Sequence, residues 1–255
     1  MSAGAGARLR PLTTLLPKPL CPVANRPLLD WALERLGPLV GACAVNVHHR
    51  HGGDAIAAHL AGRGVHVSFE EIPLGTAGAF GALAGWLDGR GALILNADAW
   101  SEAPLAPLLA GWDGDTVRVL VAGGPEFGPR SEIAASLLPW REIARLPAAP
   151  LGLYEAVWRR TAAEGTLEVR VADGPVIDAG SPAGYLRANL AALAGASLVA
   201  EGAVVRAPLE EAAIGAGAEI DAPLRRVVVW PHTRVPPATP LQDAIAAPGL
   251  TVLVR

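Results

Sequence analysis

Residues 2–29 read SAGAGARLRPLTTLLPKPLCPVANRPLL, and the interpretation of the whole chain starts from this stretch. Gly4 and Gly6 let the backbone approach an anion closely and adopt positive φ. A helix that begins after the glycines would add backbone N–H donors. Arg8 and Lys18 would supply the compensating positive charge. The stretch therefore indicates a phosphate-binding loop, with an ordinary turn as an equally weighted alternative in a chain so rich in Gly and Ala.

Lys18 favours a phosphate-binding loop over an ordinary turn. It is the only lysine among the 21 basic residues of the chain, and it lies between Pro17 and Pro19. Lysine carries a compact ammonium, whereas the guanidinium of arginine is a wide planar fork. Because every other basic residue counted here is arginine, the lysine suggests that position 18 needs the smaller cation.

The composition limits the class of protein. A chain of 255 residues is long enough for one large α/β domain, or for such a domain with a smaller appendage. A net charge of −3 disfavours a general nucleic-acid binder. Cys21 and Cys43 cannot form a disulfide framework and are typical of a cytosolic protein. No apolar run is long enough for a membrane span. We therefore expect a cytoplasmic location and neither nucleic acid nor membrane among the partners.

The periodicity of apolar residues predicts alternating strands and helices up to about residue 194. Asp98 follows a predicted strand at 92–95, and Asp178 follows another that ends near Ile177. Open α/β sheets bind ligands beyond the carboxyl ends of their strands, so both carboxylates are candidates for a site. Gly75 and Gly78 lie at the start of a predicted helix, where backbone donors can contact a ligand. Residues 123–150 are rich in Pro and Gly and give no clear prediction.

Three histidines, His48, His49 and His51, suggest a metal site as an alternative. No carboxylate or cysteine follows them at a recognisable ligand spacing. We therefore disfavour a metal at this position.

The last sixty residues contain an internal repeat. Val199, Ile214 and Val229 are fifteen residues apart, and each is followed six residues later by Val205, Ile220 or Val235. Branched aliphatic residues at this spacing, with small residues between them, predict a parallel β-helix. A chance pattern in a Val-rich sequence is the less favoured alternative.

These motifs together resemble the sugar-1-phosphate nucleotidyltransferases. SAGAGARLRPLT and PKPLCPVANRPLLDW are similar to the opening segments of that family, and this match is highly specific. EIPLGTAGAF is similar to the loop near the nucleobase, LILNADA to the strand that ends in a metal-binding aspartate, and VIDAGSPAGYLRAN to the segment with a second one. The resemblance implies a Rossmann-like mixed sheet flanked by helices in residues 1–194. It also implies a short left-handed parallel β-helix in residues 195–255.

The resemblance implies a role for each matched residue. The nucleotide would be bound by Ala3, Gly4, Gly6, Glu71, Gly75 and Gly78. The phosphates would be held by the catalytic residues Arg8 and Lys18, and Mg²⁺ by Asp98 and Asp178. The implied partners are an NTP and a sugar 1-phosphate. Because β-helix ends often pack between subunits, a homo-oligomer is also considered.

The implied reaction transfers a nucleotidyl group to the sugar phosphate and releases pyrophosphate. Both reactants are anionic, so the barrier lies mainly in bringing like charges together and stabilising charge on phosphorus. Mg²⁺ with Arg8 and Lys18 can do this without a protein nucleophile or general base. The base and the sugar that are used stay open at this point.

The chain departs from the family pattern in two ways that matter. An apolar strand precedes the glycine loop in the family, but residues 1–3 do not form one, so we expect an exposed sheet edge and a loosened loop unless the natural start lies upstream. The second, sugar-side lysine of the family has no counterpart. Two alternatives follow: a weak or inactive homologue that binds nucleotide sugar as a regulatory or assembly subunit, and a glycosyltransferase, which is disfavoured because its usual D-x-D motif is absent at 96–98.

Overall fold

The computed structural model describes residues 2–254. Contacts between Cα atoms divide the chain into two compact units. The first consists of residues up to Ala5 and Trp31–Val176, and the second of Gly6–Asp30 with the residues from Ile177 onward. These units do not follow the predicted boundary between residues 194 and 195, because the helix before it packs on strands of the repeat region. As a division into domains, the boundary at 194 stays a prediction.

The helices are between 4 and 13 residues long. In chain order they are α1 (Leu28–Leu36), α2 (Gly53–Leu60), α3 (Gly75–Leu87), α4 (Ala106–Leu109), α5 (Trp140–Ile143), α6 (Arg159–Ala163) and α7 (Pro182–Leu193). A π-helical turn, Tyr154–Trp158, leads into α6. Single 3-10 turns are formed by Ala7–Leu9, Leu12–Thr14, Lys18–Leu20 and His49–His51.

Strands make up most of the remaining regular structure. Up to residue 178 they are β1 (Pro22–Val23), β2 (Arg26–Pro27), β3 (Cys43–His48), β4 (Val65–Glu70), β5 (Ala92–Leu95), β6 (Ala99–Ser101), β7 (Val117–Val121), β8 (Ile133–Leu138), β9 (Leu167–Val171) and β10 (Val176–Asp178). After α7 they are β11 (Leu198–Val199), β12 (Val204–Val205), β13 (Leu209–Glu210), β14 (Ala213–Ile214), β15 (Glu219–Ile220), β16 (Leu224–Val229), β17 (Arg234–Val235), β18 (Leu241–Ala247) and β19 (Leu250–Leu253).

The first unit is a mixed α/β arrangement, as the sequence predicts. Strands β3 and β4 form a parallel pair, and a four-stranded sheet has the order β5-β8-β7-β9. Strand β8 is antiparallel to both of its neighbours, whereas β7 and β9 are parallel. Helix α3 buries Phe80, Leu83 and Leu87 in a cluster that includes Ile94 of β5. Within the described residues, β3 and β5 are each the terminal strand of their own sheet.

The repeat region of the second unit forms parallel ladders with a fixed register. Val199 pairs with Ile214, and Ile214 with Val229. Val205 likewise pairs with Ile220. The equivalent positions of the repeat are therefore adjacent across strands, as the spacing of fifteen residues predicts. Ile214, Ile220 and Val229 lie in one buried core that also contains Leu224 and Val227, whereas Val199 is exposed.

Within residues 2–254 no helix has the length and apolar character needed to cross a membrane.

Three glycines on one face of α3 permit a close approach of residues 147–151. A Cβ atom at Gly75 would lie 2.7 Å from the carbonyl oxygen of Leu151, and Gly75 also has a φ of +68°. A Cβ at Gly78 would overlap the carbonyl oxygen of Ala149, and one at Gly81 would overlap the backbone of Pro147. Residues spaced by three lie on the same side of a helix. The glycines therefore form a continuous groove in which the backbone of 147–151 packs.

We predict that Gly81→Ala destabilises the protein by roughly 1–3 kcal/mol, because the added methyl group must displace backbone rather than a flexible side chain. Gly85→Ala is the matched control in the same helix, since a Cβ there meets nothing within 4 Å. It should stabilise by up to about 1 kcal/mol through higher helix propensity. Urea unfolding monitored by circular dichroism measures both. Equal stabilities of the two variants would contradict this account of the groove.

Candidate functional site

The glycine loop of the second unit continues into a 3-10 turn. Gly6 adopts a φ of +61°, and a Cβ there would lie 2.9 Å from Cγ2 of Thr13. The hydroxyl of Thr13 donates to the carbonyl oxygen of Gly6 at 3.0 Å, which fixes the bend. The helix predicted after the glycines is only the 3-10 turn Ala7–Leu9, too short to present an extended set of N–H donors. The prediction of a helix N-terminus at this point was wrong.

Arg8 and Lys18 converge on Asp178. Nη2 of Arg8 lies 3.1 Å from Oδ2 of Asp178, and Nζ of Lys18 lies 3.4 Å from Oδ1. The Lys18 side chain is 7% exposed and the Arg8 side chain 73%. Prolines on both sides of Lys18 restrict its backbone. The structure thus brings three of the predicted site residues into one ion cluster, which has one buried and one exposed cation.

The segment after Asp178 is shaped around this carboxylate. The N–H of Gly180 donates to Oδ1 of Asp178 at 2.7 Å. A Cβ at Gly180 would lie 2.9 Å from both the Arg8 and the Lys18 nitrogen, so a larger residue would disturb the cluster. Ser181 then caps α7 by accepting a hydrogen bond from the N–H of Gly184, with Pro182 at the first helical position.

The pKa of Asp178 reflects these contacts. Burial alone would raise its pKa. The Lys18 ammonium, the N–H of Gly180 and the Arg8 guanidinium together outweigh burial and hold the pKa below its usual value. Asp178 is therefore ionised at neutral pH.

Residues that the sequence analysis missed hold the hairpin next to Lys18. Ala24 and Asn25 form its turn, both with positive φ. The N–H of Ala24 donates to Oδ1 of the fully buried Asn189 at 2.9 Å, and Nδ2 of Asn25 donates to the carbonyl oxygen of Ile214 at 2.8 Å. The hydroxyl of Tyr185 donates to the carbonyl oxygen of Pro22. An asparagine in a tight turn was the signal that could have revealed Asn25. Its hydrogen-bond partner, Ile214, could not be found this way because it is distant in sequence.

Cys21 is not a nucleophile of this site. Burial raises the pKa of its thiol to about 12, although Lys18 favours the thiolate. The thiol is therefore protonated at neutral pH, in agreement with the interpretation of Cys21 as a small buried residue.

The first unit contains the other predicted site residues. Asp98 follows β5 and is half-buried. Glu71 is exposed, and a Cβ at Gly4 would meet nothing within 4 Å. The N–H groups of Ala77 and Gly78 both donate to the carbonyl oxygen of Leu151, at 3.0 and 3.3 Å. These two N–H groups at the start of α3 therefore have a partner within the protein, the carbonyl oxygen of Leu151. Roles of Ala3, Gly4, Glu71, Gly75, Gly78 and Asp98 in nucleotide or metal binding stay predictions.

Two buried polar residues near these loops were missed by the sequence analysis. Asn46 lies between two valines in strand β3, and Glu70 ends β4; they are 4% and 2% exposed. A polar side chain inside an apolar strand was the signal that could have revealed Asn46. Glu70 could not be distinguished from its exposed neighbour Glu71 by sequence pattern alone.

The three histidines have other contacts. The rings of His48 and His51 stack with centroids 4.4 Å apart, and His49 stacks on Phe69. Nδ1 of His51 lies 3.0 Å from the carbonyl oxygen of Ala3, within hydrogen-bonding distance. Together with the hydrogen bond from the N–H of Ser2 to Asn46, this contact anchors residues 2 and 3. The loosening expected for the glycine loop stays a prediction.

One protein family matches the N-terminal part of the chain. The family described as Nucleotidyl transferase matches residues 1–125. This match agrees with the resemblance to sugar-1-phosphate nucleotidyltransferases in this part of the chain.

Individual relatives agree with the family match. The chain is 37% identical over 113 residues to a mannose-1-phosphate guanylyltransferase of Mycobacterium tuberculosis, covering 42% of this chain and 31% of that protein. It is 34% identical over 108 residues to an N-acetylmuramate alpha-1-phosphate uridylyltransferase of Neisseria meningitidis, covering 40% and 46%. The matched part is thus less than half the length of either relative.

One solved structure shares the fold. It is a putative glucose-1-phosphate thymidylyltransferase from Bacillus anthracis, with a TM-score of 0.64 and 19% identity. The superposition covers 75% of this chain and 92% of that one. The similarity supports a mixed α/β fold of the nucleotidyltransferase kind.

We predict that Asp178 stabilises the protein only while it is ionised. Its pKa is lower in the folded state than the value of about 3.9 in an unfolded chain. Its contribution is therefore complete above that value and is lost as the pH falls through the folded pKa. The expected size is about 1 kcal/mol or less, because the side chain is 44% exposed.

Urea unfolding of wild type and Asp178→Asn between pH 7 and pH 2.5 measures this effect. The difference in unfolding free energy should be constant above about pH 5 and should change towards relative stabilisation of the variant on acidification. A difference that is independent of pH, or that changes in favour of wild type, would refute the assignment.

Proposed function

Residues 1–125 of this chain are homologous to the nucleotidyl transferases, and from that premise we propose that the protein transfers a nucleotidyl group from an NTP to a sugar 1-phosphate. The products are an NDP-sugar and pyrophosphate. The matched relatives act on mannose 1-phosphate and N-acetylmuramate 1-phosphate, which supports this substrate class.

The observation that carries the proposal is the cluster of Arg8, Lys18 and Asp178. Two cations from the glycine-rich stretch meet one carboxylate from a segment 160 residues later. A nearly buried lysine beside an exposed arginine suits an anionic ligand that enters from solvent, since the arginine can fork to phosphate oxygens and the ammonium acts as a point charge.

The proposed reaction needs no covalent step on the protein. A phosphate oxygen of the sugar 1-phosphate attacks the α-phosphorus of the NTP. The bond from that phosphorus to the oxygen bridging to the β-phosphorus breaks, and pyrophosphate leaves with the electron pair. Arg8 and Lys18 bind phosphate oxygens, reduce the repulsion between the two anions, and stabilise the charge that develops on the transferred group.

We propose Mg²⁺ as the cofactor, with Asp98 and Asp178 as ligands. Carboxylate oxygens are the ligands that Mg²⁺ prefers, and Mg²⁺ commonly combines one or two carboxylates with substrate phosphates. Asp178 fits this role because it is ionised and its Oδ2 can accept a second interaction beside that from Arg8. When bound, Mg²⁺ would neutralise phosphate charge and orient the reacting groups.

Three further features belong to the proposal. The parallel ladders with a register of fifteen residues support a short parallel β-helix at the C-terminus, and its left-handed sense is proposed from the family resemblance. Two free cysteines support a cytoplasmic location. A homo-oligomer is proposed on the frequency with which β-helix ends pack between subunits.

A pyrophosphate-release assay tests the function. Each of ATP, CTP, GTP, UTP and dTTP is combined with mannose, glucose, N-acetylglucosamine and N-acetylmuramate 1-phosphates in the presence of Mg²⁺. At least one pair should release pyrophosphate and yield the matching NDP-sugar. Nucleotide binding without release for any pair would favour the alternative of an inactive, nucleotide-sugar-binding homologue.

Asp98→Asn and Asp178→Asn should each lower kcat by roughly 100-fold or more, because each removes a negatively charged ligand where phosphate charge must be neutralised. Asp173→Asn is the control, since this aspartate is exposed. Circular dichroism should show the fold of all three variants intact. Near-normal turnover of either Asp98 or Asp178 variant would exclude that residue from the metal site.

Lys18→Arg should lower kcat/KM by at least about tenfold despite keeping the positive charge, because a guanidinium does not fit the 7% exposed position between two prolines. The ratio is measured with the substrate pair identified above. A rate within twofold of wild type would show that the site does not require a compact ammonium.

A further inference from the structure

Glu70 belongs to a chain of hydrogen bonds in the first unit. Its carboxyl group is 2% exposed. Oε1 accepts a hydrogen bond from Nδ2 of Asn46 at 2.6 Å, and Oε2 accepts one from the N–H of Leu74 at 3.0 Å. Oδ1 of Asn46 accepts a hydrogen bond from the N–H of Ser2 at 3.0 Å. Ser2 and Leu74 are thereby connected through two buried side chains.

The register of β3 and β4 produces this connection. The strands are parallel, with Asn46 opposite Ser68 and His48 opposite Glu70. Residues two apart face the same side of a sheet, so Asn46 and Glu70 are diagonal neighbours on one face. Glu70 is the last residue of β4, from which it also reaches the loop that precedes α3.

The donors at its two ends determine which atoms donate and which accept along this chain of hydrogen bonds. The N–H groups of Ser2 and Leu74 can only donate. Between two donors, one amide and one carboxylate satisfy every contact, because the amide accepts on one side and donates on the other while the carboxylate accepts twice. Two amides, or two carboxylates that are both ionised, would each leave one mismatched contact in a buried position.

The connected segments are both predicted to bind the nucleotide. Ser2 precedes Ala3 and Gly4, and Leu74 precedes Gly75 and is the residue before α3. A buried charged and polar pair is seldom more stabilising than an apolar pair of similar volume. Its position between these two segments therefore indicates a role in their placement.

We infer that Glu70 and Asn46 are positioning residues that hold residues 2–5 and the loop 74–78 in one fixed relation for nucleotide binding. The inference rests on the proposed function, since that function makes both segments nucleotide contacts. Neither side chain has to touch the nucleotide, because both act through the backbone of the segments.

Glu70→Gln and Asn46→Asp test the inference separately. Glu70→Gln places a donor against a donor, and Asn46→Asp places two carboxylates against each other across a 2.6 Å contact. Each should raise the dissociation constant for the NTP at least about tenfold, the usual effect of one unsatisfied buried polar contact. The KM for the sugar 1-phosphate should stay within about twofold of wild type.

The double variant is the decisive measurement. With Glu70→Gln and Asn46→Asp together, the aspartate accepts from Ser2 and from the glutamine amide, and the glutamine oxygen accepts from Leu74. Every contact is satisfied with the polarity of the middle bond reversed. NTP affinity should return to within about threefold of wild type, which is a strongly non-additive result. Glu132→Gln, which is exposed, is the control for loss of a carboxylate and should bind as wild type does.

Thermal unfolding and titration with the five NTPs, each monitored by calorimetry in the presence of Mg²⁺, distinguish the outcomes. Single variants that melt at lower temperature but bind NTP with unchanged affinity would overturn the inference and leave the proposed function intact. A double variant as weak as the single ones would also overturn it.

If wild type binds none of the five NTPs, the proposed function fails, and amide hydrogen exchange without nucleotide then decides the inference. Each single variant should speed exchange of both the Ser2 and the Leu74 amide, which donate to Asn46 and Glu70, and the double variant should slow both again. Faster exchange in only one of the two segments would show that the hydrogen bonds through Asn46 and Glu70 do not couple the segments.

Discussion

A buried ammonium needs an anion within hydrogen-bonding reach, and in the second unit this requirement determines the surrounding structure. Lys18 is 7% exposed, so most of its hydration is lost on folding, and Asp178 supplies the compensating charge at 3.4 Å. Gly180 has to be small because a Cβ there would contact both Asp178 and the ammonium. Gly6 has to be small mainly because of its positive φ and of Thr13, whose Cγ2 would lie 2.9 Å from a Cβ there, and Cβ of Lys18 would lie 3.3 Å away. Placing the lysine thus accounts directly for Gly180 and only in part for Gly6.

The support behind this lysine is built from contacts between residues far apart in sequence. The hairpin after Lys18 is held by Asn189 of α7 and by the carbonyl oxygen of Ile214 in the repeat region. Tyr185 joins the two, because its hydroxyl donates to Pro22 and accepts a hydrogen bond from Nε1 of Trp230 at 3.0 Å. The repeat therefore helps to hold the segment around Lys18 as well as forming its own core. This is a physical reason why the helix before residue 194 groups with the repeat rather than with the sheets.

The sequence predicted what depends on local pattern and missed what depends on pairing at a distance. Strands β5 and β9 have the predicted bounds, and α3 ends at Leu87 as predicted. The repeat also predicted the register of its ladders, because stacked equivalent positions leave few alternatives. Residues 123–150 gave no prediction, since β8 is a strand only through antiparallel pairing with β5 and β7. Asn46 and Glu70 were missed for the same reason: their partners are set by strand register.

The glycines of α3 have a packing role that does not depend on nucleotide binding. Gly75, Gly78 and Gly81 form a groove for residues 147–151, and Leu151 accepts the N–H groups of Ala77 and Gly78. Packing alone accounts for small residues at these positions, whether or not a nucleotide is bound. Packing does not account for the buried carboxylate of Glu70. It accepts hydrogen bonds from the N–H of Leu74 and from Asn46, and Asn46 in turn accepts one from the N–H of Ser2. Because an apolar pair would be easier to bury, this polar connection is the feature of the first unit that points most directly to ligand binding.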